Sequence, residues 1–434
     1  TTLTLQQSYR LAIDNSPRLN ELRAKVLEQD ARVDEAFSYA YPSFNITGNV
    51  THNIPQVSTV QNNVHVVAVP SDAHTVNLNI NQAILTFGRL KWSTAIAQLN
   101  KKSSQEDFRR EAELIFDNVA TAYQDAILAA QNVDIVQERV HALEAQLRDS
   151  QNLFRRGTVA RFDVLRAEAE LSNYQQQLLA AQNNARLAAD RLLSQLGVRL
   201  GDTVELAPNP LPGEPPRDVD KGTALALERR PGIGIIQWML ESAKANVSYQ
   251  SSQNKPRLDF FTTSYQRNEL LTQAGEAFLA GLQVTIPIWD GGLTTARIGE
   301  AVHVVEEISA QLENERRTVR LDVREAYNNL KNAWDKKDFT QKAKEQAAEA
   351  FRVAQIRYKA GVSTQVELLS AQASYSDTEF AEAQNWHDYQ LAWAHWKRVI
   401  SEEYPAYVPG PLLRERANDG TPPDGQGPTT QLPV

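Results

Sequence analysis

The sequence predicts a mainly α-helical fold with a small β part, assembled from two copies of one structural unit. The 434-residue chain has two proline-free stretches of more than one hundred residues, from Pro70 to Pro208 and from Pro287 to Pro405. Proline is the residue that most reliably ends a helix. Heptad spacing of small and apolar residues runs through both stretches, and segments of alternating polarity precede each of them.

The second half of the chain repeats the first. At an offset of 214 positions Pro17 falls on Pro231, and further on, at an offset of 203 to 204, residues 154–157 fall on residues 358–361. Matches that keep their order over roughly 190 residues indicate tandem duplication. The change of offset gives the first half about ten extra residues between Pro42 and Gly88, where we expect a loop.

Each repeat is predicted to contain two short helices, a strand, a loop, a second strand and two long helices. We predict a first repeat at 1–217, a second repeat at 218–401 and a flexible tail at 402–434, with a proline-rich connection at 200–220. The predicted strands lie at about 43–55, 74–86, 257–268 and 277–288, and the predicted long helices at about 88–153, 160–197, 292–356 and 364–400.

Alternation identifies the strands. Apolar residues alternate with asparagine and threonine over residues 44–51, which places apolar side chains on one face and polar side chains on the other. A polar face with few charges suits a water-filled lumen, and a soluble sandwich with its apolar face inward is the alternative. Because four strands cannot close a barrel alone, we expect closure by oligomerisation.

The first long helix carries a coiled-coil seam. Small and apolar residues recur with alternating spacings of three and four from Ala112 to Phe154, and a second stripe runs beside them from Phe116 to Ala130. This helix therefore has neighbours on two sides. Its length of roughly 64 residues corresponds to about 100 Å, more than a globular domain needs. A cytoskeletal coiled coil would explain the heptads but not the duplicated strand pairs.

Composition excludes several classes of protein. The chain has no cysteine, so it has neither a disulfide framework nor a thiolate metal site. Its formal net charge is −8 and no basic stripe collects the lysines and arginines, which argues against nucleic acid as a partner. No window approaches 18 consecutive apolar residues, the length of a transmembrane helix. The sequence starts at Thr1 without an initiator methionine, and we expect a processed or trimmed form.

Catalytic chemistry finds little support in the sequence. The seven histidines are scattered, and the best pair, His387 and His395, has a spacing more typical of packing or a surface than of a metal site. The glycines lack a phosphate-cradling pattern. We predict a protein that is not an enzyme and that has no metal site and no cofactor.

Two local motifs add to these patterns: Asp290-Gly291-Gly292 leads into a long helix, and 357–361 (Arg-Tyr-Lys-Ala-Gly) is followed by 366–369 (Val-Glu-Leu-Leu). Together with the duplication and the strand pairs, they make the sequence resemble the TolC-type outer-membrane efflux proteins from Leu3 to about Ile400. This resemblance implies a homotrimer in which twelve strands form a transmembrane β-barrel and twelve helices form a periplasmic α-helical barrel. It also implies outer-membrane lipid, a periplasmic adaptor (membrane fusion) protein and an inner-membrane pump as partners.

The same resemblance implies a gate at the periplasmic helix tips. Matched by position, the residues implied for the gate or constriction are Glu367, Asp163, Tyr358, Ser370 and Arg166, and those implied for adaptor docking are Gly157, Gly361, Arg156 and Lys359. The chain departs from the family where Ser370 replaces a frequent acid and Ser363 a frequent arginine. A structural alternative is that Asp163 and Glu367 only occupy the first turns of their helices, where a negative charge complements the helix dipole.

The implied function is passive conduction from an energised pump complex out of the cell. Two alternatives remain at this stage. One is a type I protein secretion duct with the same fold, because a wide water-filled tunnel suits both kinds of substrate. The other, of a different class, is a soluble periplasmic adaptor or coiled-coil scaffold with a small β-domain.

Overall fold

The computed structural model describes residues 2–52, 54, 57–61, 64–69, 72–199, 205–269 and 272–402. The predicted tail from residue 403 onward, residues 200–204 of the predicted connection, and residues 53 and 55 of the first predicted strand lie outside the described residues.

The first repeat comprises β1 (Thr2–Leu3), α1 (Leu5–Asn15), α2 (Pro17–Ser38), β2 (Ser43–His52), β3 (Val57–Gln61), β4 (Val64–Val69), β5 (Asp72–Leu85), α3 (Arg89–Arg155) and α4 (Arg161–Leu196). After β6 (Glu205–Leu206), the second comprises α5 (Val219–Arg229), α6 (Pro231–Ser252), β7 (Arg257–Glu269), β8 (Thr272–Thr285), α7 (Leu293–Lys359) and α8 (Gln365–Val399).

The long helices α3 and α7 have the same length, 67 residues each. Each begins after a glycine in the left-handed region, Gly88 or Gly292, where a side chain on Cβ would be strained. Each ends at a second such glycine, Gly157 or Gly361. The amide of Thr158 donates to the carbonyl of Leu153, and an equivalent bond closes α7, which is the Schellman pattern of helix termination.

Four antiparallel strands form one sheet in the order β2-β5-β7-β8. The strands β5 and β7 join the two repeats. Large apolar side chains of this sheet stay exposed, among them Phe44, Ile46, Val50, Phe278 and Leu282. This exposed apolar face follows the alternation in the sequence and has no partner within the described part of the chain.

Two details of the β part differ from the sequence-based expectation. The extra residues of the first repeat, expected to form a loop, include the hairpin β3-β4, because Val57–Gln61 and Val64–Val69 pair with each other. The last strand runs from Thr272 to Thr285 instead of about 277 to 288, so it ends before Pro287, whose missing N–H cannot join a ladder.

The core follows the duplication as well. Val119 on α3 and Val323 on α7, which are 204 positions apart, are both fully buried. The seam predicted on α3 is buried at Ala112, Val119, Ala126, Val140 and Leu143. The helix α3 packs against α4, α2, α6, α8 and α1, and α7 packs against α8, α6 and α5. None of the described helices is both long and apolar enough to cross a membrane.

Candidate functional site

The two turns between long helices, 156–160 and 360–364, form the tips of the helical hairpins. Gly157 and Gly361 are exposed, and so are the cationic side chains of Arg156 and Lys359. Nothing lies within 4 Å of a Cβ built on either glycine. The tips therefore present a cationic, sterically open surface, and their glycines are required by backbone geometry instead of by crowding.

The two acids beyond the turns have unequal surroundings. Asp163 lies in the first turn of α4, and its carboxylate accepts a hydrogen bond from the backbone amide of Ala160. It therefore caps the N-terminus of α4. Glu367 has a richer set of partners. Its carboxylate accepts from the Ser363 hydroxyl at 2.6 Å, and the Arg357 guanidinium lies 3.9 Å away on the preceding helix.

Tyr358 is buried and ties the two repeats together near the tips. Its hydroxyl lies 3.3 Å from the hydroxyl of Ser150 on α3, which is also buried. Sequence reasoning missed Ser150, because nothing in a serine 208 positions away points to Tyr358. One signal was available: the duplication puts Phe154 at the equivalent position, so the Tyr358 hydroxyl is what the second repeat adds.

Two other residues of the implied gate are exposed. Ser370 and Arg166 lie on the surfaces of α8 and α4. No ion pair within 4.0 Å joins Arg166 to Asp163 or to Glu367 among the described residues, and the cation near Glu367 is Arg357. Arg357 and Glu367 flank the same tight turn, which brings them together more readily than residues on separate hairpins.

A buried arginine that the sequence analysis missed links α3 to both return helices. The Arg139 guanidinium donates to Ser376 of α8 at 3.3 Å, lies 3.9 Å from Glu170 of α4 and stacks over the Tyr174 ring at 4.1 Å. Burial lowers the pKa of Arg139, against the opposing effect of nearby Tyr174 and Glu170. Arg139 therefore positions the two hairpins relative to each other.

Closer to the sheet, two histidines of α8 face acids of α3. The ring of His387 lies 2.7 Å from Asp125, and that of His395 lies 3.7 Å from Asp117. Because both pairs are eight residues apart on antiparallel helices, they form successive links between the repeats. No cluster of three or more potential metal ligands occurs in the part of the chain that the structure describes.

We expect the contribution of His387 to stability to decrease as the pH rises. Burial disfavours the charged imidazolium, but hydrogen bonds and charge from Asp125 and Asp388 outweigh it and raise the pKa of His387 above 6.5. A group whose pKa is raised in the folded state stabilises the protein fully at pH values below its unfolded-state pKa. This stabilisation is lost as the pH rises through the folded-state pKa. The substitution His387→Gln should therefore lower the unfolding temperature more at about pH 6 than at about pH 9.

The matched control is His303→Gln, since His303 is exposed and its one ion-pair partner among the described residues is Glu306 of its own helix. This variant should show little change at either pH. An effect of His387→Gln that is equal at the two pH values would contradict a charged link between α3 and α8.

Comparison with known structures defines the fold. The chain superposes on the crystal structure of CusC with a TM-score of 0.78 at 17% identity, covering 91% of each chain. It superposes on the outer membrane protein VceC from Vibrio cholerae with a TM-score of 0.77 at 18% identity, covering 91% of this chain and 95% of that one. The fold is that of an outer-membrane channel subunit with a helical barrel and a β-barrel domain.

Sequence comparison defines the family. The family described as outer membrane efflux protein matches residues 8–198 and 223–400, one segment in each repeat. The chain belongs to this family. Its relatives include the alkaline protease secretion protein AprF of Pseudomonas aeruginosa, 24% identical over 90% of this chain and 83% of AprF. They also include the outer membrane protein TolC of Escherichia coli, 24% identical over 85% of this chain and 76% of TolC.

Membership of this family confirms the resemblance inferred from the sequence and places the protein in the outer membrane with a periplasmic tunnel. It also removes the alternative of a soluble periplasmic scaffold. The family consists of channel proteins and not of enzymes.

Proposed function

We propose that three copies of this chain form a passive outer-membrane exit channel. The four-stranded sheet is the observation that supports a trimer. Its edge strands β2 and β8 each have one side without a strand partner among the described residues. Four strands are too few to close a barrel, whereas three copies supply twelve strands and leave no edge. The exposed apolar face then meets lipid.

We further propose that the hairpin tips form the closed periplasmic entrance. The residues assigned to it are Glu367, Asp163, Tyr358, Ser370 and Arg166, with Arg357 and Ser150 added from the structure. The contact of Tyr358 with Ser150 supports this assignment, because a buried bond between α3 and α7 holds the two hairpins of one chain together. In this proposal the entrance opens when the hairpins separate.

Partners follow from the same proposal. The exposed tips around Gly157, Gly361, Arg156 and Lys359 would dock the adaptor, and an inner-membrane pump would supply the energy. The match to TolC and to secretion proteins supports membership of such an assembly.

Planar-bilayer conductance of the detergent-purified protein, with its mass measured in the same preparation, tests the channel. A trimer that gives small, cation-selective conductance steps is the expected result. A monomer without conductance would overturn the proposal.

Neutralising Glu367 should weaken cation selectivity. Three copies of this acid around a threefold axis attract cations, and each unit charge at contact distance contributes about 1 kcal/mol in water. The substitution Glu367→Gln should therefore lower the cation-to-anion permeability ratio about two- to fivefold in bilayer recordings. The control is Glu349→Gln, because Glu349 accepts two hydrogen bonds of 2.7 Å from Arg352 of its own helix, whereas the nearest cation to Glu367, Arg357, lies 3.9 Å away. Unchanged selectivity in Glu367→Gln would remove Glu367 from the entrance.

Protein secretion is the second candidate for the transported substrate. The relatives AprF and PrtF are named for protease secretion, and both match most of this chain, 90% and 86% of it. Deleting the gene and assaying secreted protease activity alongside susceptibility to small toxic compounds separates the two candidates. Loss of secretion with unchanged susceptibility would favour the protein duct.

A further inference from the structure

The two repeats are not equally covered within one chain. The helix α3 packs on both α2 and α6. The helix α7 packs on α6 but not on α2. The helices α2 and α6 correspond in the duplication, as do α3 and α7. By this correspondence, α7 has an uncovered face where α3 contacts α6, and α2 has an uncovered face where α6 contacts α3.

Exposure of the side chains agrees with this correspondence. On α6, Ser242 is 9% exposed and Ala245 is 5% exposed. Their equivalents on α2, 214 positions earlier, are Glu28 and Ala31, and both are exposed. On α7 the exposed side chains Arg297, Glu300, Val304 and Glu307 lie on one face, and three of their four equivalents on α3 (Ser93, Ile96 and Ser103) are partly buried.

The covered interface supplies the register. Within the chain, the Ser242 hydroxyl of α6 donates to the Asn100 side chain of α3 at 2.9 Å. At the start of α3, Arg89 donates to the carbonyls of Ser252 and Gln253, so the two helices are antiparallel. Val304 is the equivalent of Asn100 at the offset of 204, and Glu28 is the equivalent of Ser242 at the offset of 214. The equivalent contact between α7 and α2 would therefore join Val304 to Glu28.

This register brings opposite charges together. One heptad from Val304 toward the sheet, Arg297 faces Glu35, and one turn from Val304 Glu300 faces Arg32. Arg297, Glu300 and Glu35 have no ion-pair partner within 4.0 Å elsewhere in the described residues, while Arg32 pairs only with Glu28 of its own helix. A face of exposed charges that matches a second face of the same chain fits a second copy better than lipid or solvent.

We propose that α7 of one copy packs antiparallel on α2 of the next in the register that pairs Val304 with Glu28, Arg297 with Glu35 and Glu300 with Arg32. The proposal rests on the proposed trimer and adds which side chains form its subunit boundary. The contact between α3 and α6 is thereby repeated three more times around the tunnel, once between each pair of copies.

Cysteine cross-linking tests the register directly, because the chain has no cysteine of its own. The double variant Val304→Cys, Glu28→Cys should form disulfide-linked dimers and trimers on oxidation, since the side chains of the template pair are in contact. The control, Val304→Cys with Glu21→Cys, moves one partner by a heptad, about 10 Å along the same face, and should not cross-link.

The mass of each unoxidised preparation separates this proposal from the proposed function. A trimer that cross-links through Glu28→Cys and not through Glu21→Cys supports the register. A trimer that cross-links through neither, or only through Glu21→Cys, overturns the register and leaves the channel standing. A folded monomer overturns both.

Charge reversal gives a second test that needs no oxidation. Arg297→Glu or Glu35→Arg alone should weaken association about fivefold per boundary, the upper end for an exposed pair. The double variant should recover most of it, because each boundary then holds the reversed pair. If the double variant folds but its association is as weak as that of the single variants, the proposed contact of Arg297 with Glu35 is contradicted.

Discussion

Replacing Tyr358 with phenylalanine is expected to raise the open probability of the proposed channel about tenfold. The change removes only the hydroxyl that meets Ser150 and leaves the ring in its buried place. A buried hydrogen bond contributes about 0.5–1.5 kcal/mol. If three copies open together, the loss per channel is at least about 1.5 kcal/mol, or about tenfold in the ratio of closed to open states. Single-channel recording measures this ratio.

Two further variants make this test specific. Ser150→Ala removes the other half of the same contact, so it should open the channel similarly, and the double variant should add little to either single one. Tyr375→Phe is the matched control, because the Tyr375 hydroxyl donates to Glu379 of its own helix, α8, and not to a residue of another helix. Equal conductance in the parent, Tyr358→Phe and Ser150→Ala would show that this contact does not hold the entrance closed.

The length of α3 and α7 could be predicted closely because their ends are local. A glycine in the left-handed region starts and ends each helix, and no proline intervenes. The hairpin β3-β4 could not be predicted in the same way. Its strands lie in the segment that the second repeat lacks, so the duplication offered no template for it.

The candidate site could be predicted less completely than the fold for a related reason. Glu367 and Tyr358 could be proposed for it because they lie next to a recognisable turn. Ser150, the partner of Tyr358, depends on which helices are neighbours in space, because it lies on the other repeat, whereas Arg357 lies across the same turn as Glu367 and could have been found from the sequence. Arg139 was missed because a lone arginine in a heptad pattern looks like a solvated position, and only the packing of α4 and α8 on α3 buries it.

The substitution Gly222→Ala is expected to lower the stability of the folded protein by about 1–3 kcal/mol, the usual cost of overpacking a core. A Cβ on Gly222 would lie 2.6 Å from the ring of Trp396, which is itself buried and packed against Tyr327. The gain in helix propensity from glycine to alanine, about 1 kcal/mol, offsets only part of this cost. Denaturant or thermal unfolding measures the difference.

The matched control is Gly299→Ala on α7, where nothing lies within 4 Å of the added Cβ, so propensity alone acts and stability should stay equal or rise. The first repeat also suggests a rescue. At the positions equivalent to Gly222 and Trp396 it has Ser8 and Leu192, both buried, which is a larger residue on one helix and a smaller one on the other. The double variant Gly222→Ser, Trp396→Leu should therefore be more stable than Gly222→Ser alone. If it is less stable, the two repeats do not share one packing solution at this contact.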